Sequence, residues 1–241
     1  MKKLLFISLL LALHGNLIAQ EETEYNFDGV DAQNGLEFHF DKKERVALCD
    51  GIEQKFDDEV GDVVFVIHPE QLEIPETISI SFEKWNWNEE HNVNTTEMQS
   101  LTCQVIGFSY NAFSSNNDVK TVILPSTLKD LSYFVFSYCE NLEKVVFKEG
   151  IDHTGDTMFA NCPKLKSVSL PSSMKEIRPG AFSGCPSVTE LTILSTTPPT
   201  RSANTFEETD KSKCTLYVPN GCAAKYRVSN SWKDFKNIKE L

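Results

Sequence analysis

A pattern that returns every 23 residues constrains this chain more than any other feature of its sequence. Each repeat is marked by a phenylalanine, at Phe113, Phe136, Phe159 and Phe182. Three residues later comes Asn116, Cys139, Cys162 or Cys185, and three later again an apolar residue, Val119, Leu142, Leu165 or Val188. Self-similarity at this period is typical of a solenoid, in which each unit buries its apolar side only by stacking on its neighbours. The sequence therefore predicts a repeat array.

Each repeat also carries two apolar residues separated by one position, which predicts a short strand with one buried face. These pairs are Val122 and Leu124, Val145 and Phe147, Val168 and Leu170, and Leu191 and Ile193. Pro125 and Pro171 follow two of the strands and end them, because proline lacks an N–H donor. One repeat departs from the pattern, since Lys148 replaces this proline and Thr154 replaces an apolar residue. A loosened turn is predicted there, at residues 153–156.

The segments on either side of the array differ from it in pattern. Residues 36–41 alternate apolar and polar side chains before an apolar run at 46–48, which predicts a hairpin, and a second strand pair is predicted from residues 63–67 and 74–80. After Ile193 the spacing drifts, and the sequence predicts a last strand ending at Pro219 and a short helix from Cys222 to Val228. Three apolar residues then follow at helix-like spacing: Trp232, Phe235 and Ile238. We expect both flanking segments to cap the array, because a solenoid end exposes its core and its strand edge.

Seven cysteines raise the question of disulfides. Cys139, Cys162 and Cys185 share one phase of the repeat, so we interpret them as a row of buried free thiols. A disulfide among the remaining cysteines stays open: Cys49, Cys103, Cys214 and Cys222. No Cys-x-x-Cys occurs, which gives no indication of a zinc ribbon or a thioredoxin-type redox pair.

The N-terminus predicts export. Two lysines, an apolar run from Leu4 to Leu13 and a small residue at Ala19 fit a secretory signal cleaved before Gln20, and the run is too short for the roughly 20 residues of a membrane span. The expected location is secreted, cell-surface or periplasmic, without membrane insertion after cleavage. Residues 20–105 carry 21 acidic and 5 basic side chains, whereas residues 106–241 carry 14 and 16. An acidic exported chain argues against nucleic-acid partners.

The repeat resembles a known family. The unit Cys-x-x-Leu-x-x-Val-x-Leu-Pro-x-x-Met-x-x-Ile-x-x-x-Ala-Phe, from Cys162 to Phe182, looks like the 23-residue unit of the BspA-like leucine-rich repeat family of bacterial surface proteins. The tail TLYVPNGCAAKYRVSNSWKDFKNI is similar to that family's closing segment. The resemblance covers roughly residues 100–241. It implies a right-handed leucine-rich repeat solenoid, mostly β with short helical or irregular convex turns, that presents a concave sheet for adhesion or protein binding.

The sequence indicates no catalytic, cofactor or metal site. The motifs Gly-x-Ser-x-Gly and His-Glu-x-x-His and the glycine-rich phosphate loop are all absent, and only one histidine of the predicted mature chain, His153, falls in the array. Asp57, Asp58, Glu59 and Asp62 could hold calcium, although a solvated acidic turn is the favoured interpretation. Trp85 and Trp87 could form a platform for a sugar ring, or they could pack on the core. We therefore expect a protein that is not an enzyme.

The remaining candidates are the side chains that point away from the predicted core strands. One row contains Ile123, Val146, Ser169, Thr192 and Tyr217, and a second contains Thr121, Lys144, Ser167 and Glu190. A strand spacing of about 4.8 Å makes this a strip on the order of 20 Å long. A solvated sheet face without a ligand is the simpler alternative, because single exposed apolar residues are common.

Taken together, the sequence predicts a signal at residues 1–19, an acidic β-rich N-terminal cap at 20–105, a leucine-rich repeat array at 106–219 and a short helical C-terminal cap at 220–241. The predicted function is binding of a protein partner, such as a host-matrix protein or another cell-surface protein. Two alternatives are a glycan-binding protein that uses the Trp-bearing front segment and a structural component of the cell envelope.

Overall fold

The computed structural model of the protein describes residues 104–241 in full, together with Leu72, Glu73, Ile74 and Glu76. For the other strands before residue 104 it describes the course of the backbone alone. The chain divides into two compact units, one of residues 1–67 and 77–105 and the other of residues 68–76 and 106–241.

The first unit contains β-strands, which pair mostly as antiparallel neighbours. Up to residue 108 the strands are β1 (Asn16–Ile18), β2 (Asn26–Val30), β3 (Leu36–Asp41), β4 (Val46–Ile52), β5 (Gln54–Asp57), β6 (Asp62–Phe65), β7 (Gln71–Glu73), β8 (Thr77–Asn88) and β9 (Val93–Phe108), of which β7 belongs to the second unit. One sheet has the order β1-β8-β9-β4-β3-β2, and β5 and β6 form a separate pair. β1 lies inside the predicted signal sequence, so cleavage before Gln20 would remove it.

The predicted hairpin in this unit is confirmed, because β3 pairs antiparallel with β4. The predicted pairing of residues 63–67 with 74–80 is wrong. β6 pairs instead with β5, and β8 pairs with β9. The physical reason is local, since each of these strands meets the neighbour to which a short turn connects it.

The second unit is a parallel solenoid, as predicted. Its large sheet, which we call the array sheet, has the order β7, β10 (Thr121–Leu124), β11 (Lys144–Phe147), β12 (Ser167–Leu170), β14 (Glu190–Ile193), β16 (Thr215–Val218) and β17 (Asn237–Glu240). A second, two-stranded sheet joins β13 (Glu176–Ile177) to β15 (Thr200–Arg201), with a 3-10 helix at Ala203–Phe206 and α1 at Ala223–Val228. The domain boundaries given above remain predictions, but β7 pairs with β10 and so places residues 71–73 in the array sheet.

Stacked phenylalanine rings form the centre of the array. The rings of Phe113, Phe136, Phe159 and Phe182 are nearly parallel, with successive centroids 4.9, 5.2 and 5.5 Å apart. Phe206 continues the stack at 5.4 Å, although it comes one residue late in the sequence. All five rings are at most 2% exposed. The predicted stack is therefore confirmed, and it gives each coil the same buried anchor.

Backbone hydrogen bonds join the coils on the turn side as well as in the sheet. The N–H groups of the first four stacked phenylalanines donate to carbonyls of the next coil, as Phe136 does to Met158 and Phe159 to Ala181, both at 2.8 Å. These buried backbone groups are thus paired outside the strands too. Backbone hydrogen bonds therefore fix the positions of neighbouring turns, as they do those of neighbouring strands.

The polar turn at residues 153–156 is tightly packed, so the predicted loosening is wrong. Thr154 is fully buried, and its Oγ1 accepts a hydrogen bond from the Arg178 N–H at 3.0 Å. Gly155 lies so close to the preceding coil that an added Cβ would come within 2.1 Å of the Ser132 carbonyl oxygen. A satisfied hydroxyl can therefore occupy a core position that the repeat usually gives to an apolar residue, and glycine fits where two coils approach closely.

The C-terminal segment packs its aromatic side chains on the last ring of the stack. The centroids of Trp232 and Phe235 lie 6.0 and 5.7 Å from that of Phe206, and the Trp232 Nε1 donates to the Pro199 carbonyl at 2.7 Å. The predicted helix is confirmed by α1. The helix-like spacing of Trp232, Phe235 and Ile238 does not correspond to a helix. Ile238 lies on β17, whose backbone pairs with the open edge of β16.

Arg201 holds this segment in place from the side. Its guanidinium carbon lies 5.7, 5.2 and 5.6 Å from the ring centroids of Phe206, Trp232 and Phe235. Its Nη2 lies 2.7 and 2.8 Å from the two carboxylate oxygens of Asp234, and the Arg201 side chain is only 4% exposed. A desolvated cation over aromatic rings stabilises by about 2 kcal/mol. One arginine thus joins β15 to the end of the chain.

Candidate functional site

The nine candidate residues lie on the outward face of the array sheet. They are carried by five strands, β10, β11, β12, β14 and β16. In each of these five, the second and fourth residues are buried, whereas the first and third are half-buried or exposed. Successive side chains of a strand point to opposite faces, so the first and third positions face away from the core. The residues are Thr121, Ile123, Lys144, Val146, Ser167, Ser169, Glu190, Thr192 and Tyr217.

Strand register brings these residues into two rows. In the main row, each residue stands opposite the next in the order Ile123, Val146, Ser169, Thr192 and Tyr217. The second row has the order Thr121, Lys144, Ser167 and Glu190. Because every pairing is parallel and shifted by one repeat, neither row is interrupted. Four strand spacings of about 4.8 Å separate Ile123 from Tyr217, on the order of 20 Å.

Sequence reasoning missed the ends of both rows. Glu73 of β7 stands opposite Ile123, and Lys239 of β17 stands opposite Tyr217. The second row continues through Thr215 to Asn237. The sequence did contain a signal for β7, because Leu72-Glu73-Ile74-Pro75 repeats the pattern of Val122-Ile123-Leu124-Pro125. β17 had no such signal, since only one of its four side chains is buried.

The main row is uncharged between its two ends. Ile123 and Val146 give it an apolar start, and hydroxyl groups follow at Ser169, Thr192 and Tyr217. Charge is concentrated at its two ends and in the second row, where Lys144 and Glu190 are exposed. An uncharged strip with hydroxyl groups can bury apolar atoms of a partner and exchange hydrogen bonds with it at a small desolvation cost.

Ion pairs lie at the margins of this face. Lys148 Nζ lies 2.8 Å from Glu73 Oε1 next to the main row. Before the strands, Lys166 Nζ lies 2.9 Å from Glu143 Oε2, and the hydrogen bond from that ammonium lowers the pKa of the Glu143 carboxyl below its ordinary value. Both pairs are exposed, so each fixes side-chain positions more than it stabilises the fold.

The predicted row of buried free thiols is confirmed. Cys139, Cys162 and Cys185 are fully buried, and their Sγ atoms lie 3.3, 3.2 and 3.2 Å from the carbonyl oxygens of Phe113, Phe136 and Phe159. Contact with the Cys162 thiol, together with burial, holds the pKa of Cys185 well above its ordinary value. A thiolate is the nucleophilic form of cysteine, so the Cys185 thiol is a poor nucleophile.

Cys214 and Cys222 are also buried free thiols. Burial raises the pKa of Cys214 to about 12. Neither residue therefore takes part in the disulfide that the sequence left open. Their two remaining candidate partners, Cys49 and Cys103, have side chains outside the described residues.

His153 lies half-buried on the packed turn at residues 153–156. Its Nδ1 lies 2.8 Å from Asp152 Oδ1, and Lys175 Nζ lies 3.1 Å from Asp152 Oδ2. These two hydrogen bonds lower the pKa of the Asp152 carboxyl. The cluster joins neighbouring coils, and the structure does not bring it together with a nucleophile from the described part of the array.

Two candidate sites fall outside the described residues. The structure describes no side chains for the acidic group Asp57, Asp58, Glu59 and Asp62, nor for Trp85 and Trp87. Within the described ranges, histidine, cysteine and carboxylate side chains form no group of three that could hold a metal ion. In the same ranges, no helix combines the length and apolar character needed to cross a membrane.

Solved structures of two other proteins share features of this chain. One is a leucine-rich cell surface protein from Faecalibacterium prausnitzii A2-165, with 13% identity and a TM-score of 0.39 over 88% of this chain and 54% of that one. The other is a leucine-rich repeat protein from Bacteroides ovatus ATCC 8483, with 14% identity and a TM-score of 0.30 over 86% of this chain and 76% of that one. This chain thus spans about half the length of the first.

A search of curated proteins finds no match. The family comparison is decisive, because the model of the BspA-type leucine-rich repeat region matches six copies over residues 71–220. The matched range begins at β7, where the array sheet begins, and it covers more than half of the chain. The repeat spacing, the parallel register and the buried phenylalanine stack agree with this match, and the chain belongs to the BspA-type leucine-rich repeat family.

Proposed function

We propose that this protein is exported and binds a protein partner through the outward face of its array sheet. The observation that carries the proposal is the main row, which continues from Ile123 to Tyr217 without a gap or a charged side chain. Solenoid proteins use such extended repeat surfaces for binding. The row is long enough to contact an extended segment or a helix of a partner.

The rigidity of the face supports the same proposal. Every strand of the array sheet is hydrogen-bonded to the next in regular register, and the turns are bonded in the same way. Side chains presented by such a surface lose little freedom on binding, which reduces the entropic cost of association. A partner would meet Ile123 and Val146 as apolar contacts and Tyr217 as an aromatic anchor.

The test is a triple variant of the mature chain, Ile123→Asp with Val146→Asp and Tyr217→Asp. We expect it to lose capture of partners from host-matrix proteins and bacterial envelope extracts, because three carboxylates would be desolvated in the contact. A matched control adds the same charge at exposed positions outside the array sheet: Thr196→Asp, Asn204→Asp and Val228→Asp. Retained capture by the first variant, or equal loss in both at unchanged melting temperature, would contradict the proposal.

A further inference from the structure

A shallow groove crosses the turn side of the array, away from the outward sheet face. Its volume is about 260 Å³. Residues from successive coils line it: Tyr138, Glu140, Asn161, Pro163, Gly184, Pro186 and Glu208. Six of them directly precede or directly follow a cysteine of the buried row. The groove is therefore built by the periodicity of the coil, with different side chains at each level.

Tyr138 is the unexpected member of this set. It adopts a φ of 60°, as do its equivalents Ser115, Asn161 and Gly184 at 61°, 58° and 71°. Serine, asparagine and glycine suit this left-handed conformation, but a bulky aromatic residue is uncommon there. The Tyr138 side chain is 53% exposed, so burial in the core does not explain its presence. Its backbone is nevertheless fixed, because its N–H donates to the Ala160 carbonyl at 2.8 Å.

Gly184 keeps the middle of the groove open. An added Cβ at this position would come within 2.3 Å of Asn161 Oδ1, and the residue has positive φ. Pro163 and Pro186 line the groove one position after the cysteine row and present apolar ring surfaces to solvent. An exposed aromatic ring and proline surfaces thus flank an open space with polar groups at its ends.

The two carboxylates of the groove lack ion-pair partners among the described residues. Among the acidic side chains of the array, Glu143 forms an ion pair with Lys166 and Asp152 forms one with Lys175. Glu140 and Glu208 have no such partner, and no lysine or arginine lines the groove. A cationic group placed between them would gain attraction that no side chain of the array now supplies.

We propose that this groove binds a lysine or arginine side chain of a protein partner. The cation would lie over the exposed face of Tyr138, within the roughly 6 Å at which a ring attracts a positive charge. Glu140 or Glu208 would accept its N–H donors, and the prolines would contact its aliphatic stem. The charge of the groove selects a basic segment over a neutral or acidic one. The inference goes beyond the proposed function, because the groove and the outward sheet face are separate surfaces.

The test uses the full mature chain and a fluorescein-labelled hexa-arginine peptide, with affinity measured by fluorescence anisotropy at physiological ionic strength. Tyr138→Asn introduces asparagine, which is the residue at the equivalent left-handed position 161. This change is expected to weaken binding about threefold. Glu140→Gln with Glu208→Gln is expected to weaken it about fivefold. Melting temperatures should stay unchanged in both.

Two matched controls separate the groove from general charge attraction. Tyr133→Asn removes a tyrosine of similar exposure, 52%, from outside the groove lining. Glu76→Gln with Glu176→Gln removes the same charge as the double groove variant from other exposed positions. Binding within about twofold of the wild type in both controls supports the groove.

Equal loss in the control pair and the groove pair would show non-specific attraction and overturn the proposal. Unchanged affinity in Tyr138→Asn would overturn it too, and so would displacement of the peptide by neutral oligosaccharides. The Ile123, Val146 and Tyr217 triple variant should bind the peptide no more weakly than the wild type. Because this variant changes only the sheet face, its affinity for the peptide reports on the groove alone.

Discussion

Single residues hold this solenoid together by repetition. Each phenylalanine of the stack touches its neighbouring rings, and each cysteine of the buried row donates to a carbonyl of the preceding coil, 26 residues earlier. A fully buried apolar side chain contributes roughly 1.5 to 3 kcal/mol before the entropy of ordering is subtracted. Because the positions are equivalent, loss at one of them opens a gap between two coils.

Phe159→Ala tests this equivalence. Its ring lies between Phe136 and Phe182 and also meets Phe147 edge-on at 5.9 Å, so truncation leaves a cavity that both neighbouring coils border. We expect a loss of about 3 to 5 kcal/mol in the free energy of unfolding, measured by urea denaturation. Tyr133→Ala, on the exposed side of the turn, should change it by less than about 0.5 kcal/mol. Similar losses in the two variants would contradict the stacked core.

At the residue scale, the sequence was informative where the repeat is strict and misleading where it is broken. The phase of Phe113 to Phe182 predicted the stack, and the phase of the cysteines predicted their burial. Thr154 was misjudged because polarity alone predicted exposure. Only the neighbouring coil supplies the Arg178 N–H that satisfies its hydroxyl.

Turns and strands are the elements that determine how closely the coils approach. Strand spacing is set by backbone hydrogen bonds, but turn spacing depends on side-chain size, since the turns carry left-handed residues and close backbone contacts. The turn at residues 153–156 is the tightest example. Gly155 permits it, because any larger residue would press on the carbonyls of Leu131 and Ser132.

Gly155→Ala is therefore expected to destabilise the array by about 1 to 3 kcal/mol, the usual cost of overpacking a well-packed site. The added Cβ would stand 2.1 and 2.5 Å from two backbone oxygens that cannot rotate away. Thermal and urea unfolding measure the change. Glu176→Ala, an exposed change on the next coil, serves as control. A stability equal to that of the wild type would show that the backbone of this turn can shift freely.

At the element scale, the sequence located strands better than it located their partners. Apolar pairs two residues apart marked β10, β11, β12 and β14 within one residue. The pairing of β6 was misjudged because an apolar run does not specify its neighbour. β17 escaped notice for another reason, since its place at the end of the array sheet depends on backbone hydrogen bonds to β16 and not on its side chains.

Charge separates the front of the molecule from the rest. The excess of acidic residues lies entirely before residue 106, whereas the array carries nearly balanced charge, much of it in ion pairs between coils. Like charges concentrated in one segment repel anionic surfaces. The groove on the turn side belongs to the balanced part, so its two unpaired carboxylates are a local feature.

The predicted export of the chain can be tested on the whole molecule. Expressed with its first 19 residues in a Gram-negative host, the chain should be recovered outside the cytoplasm with Gln20 as its N-terminus, as measured by mass spectrometry of the intact protein. Leu10→Arg interrupts the apolar run of the predicted signal and should leave the uncut chain in the cytoplasm. Exported protein that still begins at Met1 would contradict the cleavage and would keep β1 in its sheet.

The sequence by itself determined the repeat length, the buried face of each coil and the rows that face outward, because identical spacing forces identical environments in a solenoid. Tertiary structure alone decided what happens where the repeat is imperfect: the buried Thr154, the extension of the array sheet to β17, and the groove around Tyr138. These features depend on which atoms of neighbouring coils meet. Periodicity fixes phase along the chain, whereas the contacts between irregular side chains are set only when the coils are stacked.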